Sequence, residues 1–390
     1  MLARDKSSGR NLILLSAGGD YVQRQAAPCD TMLAGTTDGI FILQRNDKGV
    51  WPVVHRALQG CNVSSVTASE DGTLYAATHG VGMARSDDGG RTWRWINIGL
   101  GQFDLWCARV VKLNGRERVY AGSMPAHLFV SDDGESWREL TALRDSPTLS
   151  QWFFPPPPYL GHVKEIVGHE GRLLMVGIEV GALLVSEDEG DTFRELPVAE
   201  DVREIDMHHI AVHPAMPDRI IVSNGLVGMM SSEDRGKTWR RGPSPTGLDY
   251  PEPLVMHPDD PNLLFVAGAV GWPSHWYEIN RARSKIARTR DGGKTWERLL
   301  GGLPDGQRAI FGALTLEAWD GGYAIYAADS DGQLFESRDG GDHWRIVAEI
   351  GPVSKGDFYR ALAKGRPPMT NIDDLKIGGP AADRIAQAQV

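Results

Sequence analysis

Short apolar runs separated by Gly-containing turns recur along the chain: Leu74 to Thr78 then Val81 to Arg85, and Ala324 to Ala328 then Gln333 to Glu336. A polar turn and a further short run, such as Trp93 to Asn97, follow. Runs of this length bounded by turn residues predict β-strands, four to a unit. The polar turn carries an eight-residue pattern of a hydroxyl residue, Asp, Gly, Thr and an aromatic at alternate and final positions. It reads Ser86, Asp88, Gly90, Thr92, Trp93; Ser186, Asp188, Gly190, Thr192, Phe193; Ser232, Asp234, Gly236, Thr238, Trp239; and Thr289, Asp291, Gly293, Thr295, Trp296. Ser337, Asp339, Gly341, His343, Trp344 replaces Thr by His, Ser131, Asp133, Gly134, Trp137 is one residue shorter, and Asp47, Gly49, Trp51 lacks the hydroxyls.

Seven starts, at 45, 86, 131, 186, 232, 289 and 337, lie one blade length apart. The chain is therefore expected to be all-β, a seven-bladed β-propeller of four-stranded antiparallel blades. Within the turn, Asp and the hydroxyl exchange hydrogen bonds, Gly supplies a positive φ and the aromatic packs beneath the hairpin. Seven such Asp side chains sit in seven separate turns, which excludes a shared catalytic or calcium array. The pattern resembles the Asp-box, or bacterial neuraminidase repeat, propellers, a superfamily that includes sialidases, xyloglucan hydrolases, sortilin ectodomains and a photosystem II assembly factor. The resemblance covers residues 31 to 362 and implies the fold; function does not follow from it. The Phe-Arg-Ile-Pro motif of sialidases is absent, which disfavours a glycosidase of that kind.

Blade one starts abruptly at Thr31 to Gly35, and Asp357 to Leu362 reads as a strand after blade seven. That pattern predicts closure of the ring by the C-terminal strand, with residues 1–30 an extension and 363–390 a polar tail. With 41% hydrophobic residues the 390-residue chain can bury a large core. A formal charge of −10 argues against a nucleic-acid partner. Cys29, Cys61 and Cys107 are too scattered for a disulfide framework or a CxxC metal site, and fit a reducing compartment. The apolar patch Leu12 to Leu15 is too brief for a secretory segment, and no run approaches a membrane span, so a cytoplasmic protein without a membrane partner is expected.

Candidate chemistry gathers where polar residues begin three successive innermost strands: His162, Lys164 and Glu165 in blade four, Asp206, His208 and His209 in blade five, Tyr250 and Glu252 in blade six. Glu179, at the turn between the second and third strands of blade four, approaches the same mouth. His162, Lys164, Glu165, Asp206, His208 and His209 are the expected catalytic set, since neighbouring carboxylates, Lys and His suit proton transfer. Two long connections open on that face and bring Trp152 from Thr141 to Gly161, and Trp272, His275, Trp276 and Tyr277 from Gly271 to Lys285, as a ligand wall. The alternative is that these aromatics bury one another over the rim. A divalent metal is conceivable but not favoured, because Asp-x-His-His on a strand points its two His to opposite faces. His169, His213 and His257 recur at the far strand ends and read as structural. The expected activity is acid-base lyase or hydrolase chemistry on a small polar or anionic molecule; the alternative is a noncatalytic assembly propeller that grips a protein partner.

Overall fold

The computed structural model describes residues 11–155 and 158–353. Seven sheets of mostly antiparallel strands form a seven-bladed β-propeller, six of them four-stranded and one five-stranded. The middle strands of each blade are covered on both faces by the neighbouring blades, so they read as continuous apolar runs. Leu173–Glu179 and Leu183–Ser186 in blade four are buried at every position. Outermost strands have the opposite character. Arg94–Trp95, Arg138–Glu139 and Arg240–Arg241 are two residues long, charged and largely exposed, which blunts each edge against pairing with another chain.

The repeated turn joins the third and fourth strands. In blade two the Asp88 carboxylate accepts from the Thr92 amide at 2.9 Å and the Thr92 hydroxyl at 2.6 Å, while Ser86 Oγ donates to Asp88 and accepts from the Gly90 amide. Gly90 has φ +86°, and a Cβ there would lie 2.9 Å from the Leu33 side chain of blade one. The shortened copy in blade three works the same way, with the Ser136 hydroxyl in the place of Thr. In blade one the acceptor is Asn46 and not Asp47: Asn46 Oδ1 takes the amides of Lys48 and Val50. The turn aromatics differ in depth. Trp51, Trp137 and Trp344 are buried, whereas Trp239 and Trp296 are half-buried. At the far strand ends His169 and His213 each reach the next blade, their Nε2 donating to Pro217 O and Pro258 O at 2.8 and 2.9 Å.

Closure differs from expectation. Ile13–Leu15 (β1) takes the innermost place in blade one and pairs in parallel with Thr31–Thr36, aligning Ile13 with Met32 and Leu15 with Ala34. Val22–Arg24 (β2) then pairs in parallel with Phe311–Trp319 of blade seven. Residues 13–24 therefore belong to the propeller, and the N-terminal extension expected over 1–30 does not hold for them. The segment 357–362, expected to close the ring, lies outside the described residues. Leu12 to Leu15 was too short to stand out, and its parallel pairing leaves no hairpin signal of the kind that marks the other blades.

Two outcomes follow. Trp51→Ala is expected to lower stability by about 3–5 kcal/mol and Trp239→Ala by no more than about half of that, checked by denaturant unfolding. Asp88, Asp234 and Asp291 are each held down at about 2, first by the hydrogen bond from the threonine hydroxyl four residues on. Their contribution is complete above the ordinary carboxyl value of 3.8 and is lost as pH falls towards 2. Thermal midpoints should drop across that window, and Asp88→Asn should shrink the drop.

Candidate functional site

Each antiparallel innermost strand carries an irregularity near its start. The register skips Ser64, Trp106, Lys164, His208 and Gly312 in blades two, three, four, five and seven, and Glu252–Pro253 in blade six. A bulge leaves its extra residue unpaired and re-aims the side chain. The same device around the ring thus presents Ser, Trp and Gly on one side of the mouth, and Lys164, His208 and Glu252 on the other.

Glu179 sits between them. It pairs with His162 in register, its Oε2 lies 3.3 Å from His162 Nε2 and 4.0 Å from Lys164 Nζ, and its Oε1 lies 3.5 Å from His208 Nε2. Asp206 Oδ1 is 3.3 Å from the same His208 nitrogen. On its other side His208 Nδ1 donates to Pro251 O at 2.6 Å, with Glu252 Oε2 4.0 Å away. A carbonyl only accepts, so His208 Nδ1 carries a proton, and Nε2 is the ring nitrogen that faces the two carboxylates. The turn after Asn224 lies directly on this pair: a Cβ at Gly225 would come 2.1 Å from Asp206 Oδ2 and 2.6 Å from His208 Cε1. All six polar residues named are buried, Asp206 being the most accessible at 8%.

Aromatic groups roof the cluster. The Trp106 and His162 rings are 3.7 Å apart between centroids, and Phe154 meets His162 edge-on at 4.9 Å. Phe153 is fastened to Val180, the residue after Glu179, by two reciprocal backbone hydrogen bonds of 2.8 and 3.1 Å. Tyr250 leans on the His208 ring at 4.8 Å and is itself met edge-on by Trp276 and Trp272. Trp152 instead joins the hydrophobic core between blades three and four. The connection of blade six holds a short helix, Pro273–Ile279 (α1), where a loop was expected; Pro is well tolerated in a first helical turn. His275 is exposed on α1, 3.5 Å from Glu278, and does not reach the cluster, while the side chain of Tyr277 is outside the described ones. Trp106 was not anticipated, and its place in the bulge series is the signal that would have found it.

Glu165 and His209 depart from the expected set. Adjacent strand residues point opposite ways, so the neighbours of Lys164 and His208 face the axis below the mouth. There the segment joining β1 and β2 runs against the innermost strands. Its Gly18 and Asp20 amides donate to Ser64 O and Val66 O, and a Cβ on Gly19 would stand 2.1 Å from Val66 O. Beyond it the Tyr21 hydroxyl donates to Glu165 Oε2 at 2.9 Å, Arg109 donates to Glu165 Oε1 at 2.9 Å and to Asp20, and His209 lies 3.4 Å from Glu165. Burial pushes the Glu165 carboxyl up against the opposing pull of Arg109, and burial with the Glu165 charge pushes Tyr21 well up, so its hydroxyl remains the donor. These groups hold the segment between β1 and β2 in place and are engaged with it, not with the cluster round Glu179. An open cleft of about 570 Å³ beside the aromatic loop, between Gln151 and Arg203, includes none of the mouth side chains.

The family described as Sortilin, neurotensin receptor 3 (Sortilin-Vps10) matches residues 181–315, about a third of the chain. A comparison with curated proteins gives no match. Among solved structures the chain is similar to an ancestral GH74 enzyme, at 15% identity and a TM-score of 0.57 over 74% of this chain and 38% of that one, so it spans well under half of that enzyme. It is also similar to YCF48 from Cyanidioschyzon merolae, at 16% identity and a TM-score of 0.51 over 78% and 95% of the two chains. At these identities the likeness is one of fold. The fold is therefore shared with a GH74 enzyme and with YCF48. Among the described residues no helix is long and apolar enough to cross a membrane.

Tyr21→Phe removes a buried hydrogen bond to a charged acceptor and is expected to cost about 1.5–3 kcal/mol in denaturant unfolding. Any ligand response at the mouth should survive it.

Proposed function

We propose that the mouth between blades four and six binds a small polar molecule and acts on it by acid-base chemistry of the lyase or hydrolase kind. The observation that carries this reading is the unequal use of one structural device. The bulge position holds Ser64, Trp106 and Gly312 in three blades but Lys164, His208 and Glu252 in three consecutive ones. A polar lining needed only for solvation has no reason to gather ionisable groups on one side, bury them and roof them with aromatics. Glu179, shared by His162 and Lys164 through one oxygen and by His208 through the other, supports proton movement between a bound molecule and the protein.

A second reading has its own support. Tyr159, Leu160, Leu226, Trp272 and Ile279 are about 40–54% exposed on connections of the same face, an apolar rim suited to a protein partner. The two readings part on a screen of small polar molecules by thermal shift. At least one compound is expected to raise the midpoint of the wild type and not that of Lys164→Met. With a substrate in hand, Lys164→Met should lower turnover about 10²- to 10⁴-fold in the protein that remains folded, beyond whatever stability the lost partner of Glu179 costs. Equal responses of both proteins to every compound would remove the ligand reading and leave the rim.

A further inference from the structure

The side of the ring opposite the mouth carries a separate cluster of ionisable groups. Second strands end at the mouth, as at Glu179, so third strands end on the opposite side, where the repeated turns begin. Arg45 and Arg338 each follow the third strand of their blade, Gly39–Gln44 in blade one and Gln333–Ser337 in blade seven, and Arg345 opens the outermost strand of blade seven, Arg345–Glu349. All three guanidinium groups converge on the fully buried side chain of Glu336. Arg345 holds one carboxylate oxygen through Nη2 at 2.6 Å and Nε at 3.2 Å, and its Nη2 also donates to Gly49 O at 3.0 Å. Arg45 Nε and Arg338 Nε stand 3.7 and 3.5 Å from the other oxygen, long for hydrogen bonds. Both nitrogens, and Arg338 Nη2, are buried without a hydrogen-bond partner among the described residues.

Elsewhere on this side the charges are matched. Arg85 and Arg94 share Asp87 and Glu135, Arg116 and Arg118 share Asp132 and Glu189, and Arg288 and Arg290 share Glu297 and Asp342. Between blades seven and one, three guanidinium groups have one carboxylate, and among the described residues no other lies within 4.0 Å of them. Glu317, which accepts from the Tyr326 hydroxyl, is pushed up to about 7, first by burial, and so carries less than a full charge at neutral pH. An excess of positive charge remains.

The groups are also positioned to act together. A Cβ at Gly49, where φ is +73°, would lie 3.2 Å from both Arg45 Nη2 and Arg345 Nη1, so these two nitrogens are no more than twice that distance apart. Arg338 is held over the Trp319 ring, 5.4 Å from its centroid. Among the described residues neither terminal nitrogen of Arg45 makes a hydrogen bond, nor does Arg345 Nη1, and all three side chains are partly exposed.

We infer that Arg45, Arg338 and Arg345 form a binding site for a doubly charged tetrahedral oxyanion of the phosphate class. Guanidinium forks donate to phosphate oxygens in pairs, and two negative charges offset the excess. Glu336 acts as a positioning residue that gathers the three groups from below. Gly49 keeps the gap between Arg45 and Arg345 open, since any side chain there would start inside it. The site shares no residue with the mouth and stands apart from the function proposed for it.

The test titrates the full chain with inorganic phosphate at constant ionic strength by isothermal calorimetry. The wild type is expected to take up one equivalent saturably, with sulfate competing and nitrate not, a readout that needs no variant. Arg45→Gln and Arg338→Gln should each weaken phosphate at least about tenfold, the loss expected for one hydrogen bond to a charged group. Arg94→Gln, in the charge-matched set of blade two, should leave it unchanged. Free phosphoserine is then compared with a phosphoserine peptide bearing apolar neighbours, because Val50 and Ile346 are exposed next to Gly49 and Arg345. Tighter binding of the peptide places the phosphoryl group on a partner chain, and equal binding places it on a small molecule. Unsaturable uptake, equal competition by nitrate, or unchanged affinity in the folded arginine variants would overturn the assignment. So would loss of phosphate binding in Lys164→Met with retention in both arginine variants, which would put the anion at the mouth.

Discussion

Closure of the ring by the N-terminal segment is the constraint on which the other features depend. A blade buries both faces on its neighbours, so blades one and seven are complete only when the ring between them is closed. Here β1 completes blade one and β2 extends blade seven, and the turn between them crosses the axis. Gly18 and Gly19 permit the crossing, because their missing Cβ atoms would collide with backbone oxygens of Trp106 and Val66. The segment lies against the innermost strands next to the bulges, and the polar groups Arg109, Glu165 and Tyr21 are used to hold it there.

That division explains two polar clusters of similar composition with different roles. In the lower one every charge has a close opposite: Arg109 serves Asp20 and Glu165, and Tyr21 supplies a further donor at 2.9 Å. Its guanidinium also lies over the Tyr21 ring at 4.0 Å. The upper cluster sets Glu179 and Asp206 against His162 and His208 at carboxylate-to-histidine spacings of 3.3 to 3.5 Å. A buried network with short bonds between matched charges is a fastening. The longer spacings of the upper one, beside aromatic rings, are what the proposed ligand site rests on.

Much of the architecture was legible because it is written locally. The turn from Ser86 to Trp93 contains its own hydrogen-bonding scheme, and copies that depart from it still show the spacing. The paired carboxylate, Lys and His positions of blades four to six could also be located, since they open strands whose period is clear. Three things could not be read. Closure by β1 depends on parallel pairing across 15 intervening residues between Leu15 and Thr31, which no local pattern encodes. The separation of His208 from His209 was visible as alternation, but the bulge that assigns one to the mouth is a property of the pairing partner. Trp152 carried the signature of a ligand wall and is core, because exposure of an aromatic on a long connection is decided by what lies beneath it.

The mouth also sets a relation between stability and function. Replacing a buried, charge-mismatched cluster by apolar residues of similar volume commonly stabilises a protein, whereas removing one member of a pair destabilises it. The same ring supplies an internal comparison, since blades two, three and seven keep Ser64, Trp106 and Gly312 at the bulge and form equally regular sheets. Propeller geometry therefore does not require Lys164, His208 or Glu252. Their gathering on three adjacent blades, with Glu179 between them and aromatic rings beside them, is what the proposed ligand site accounts for.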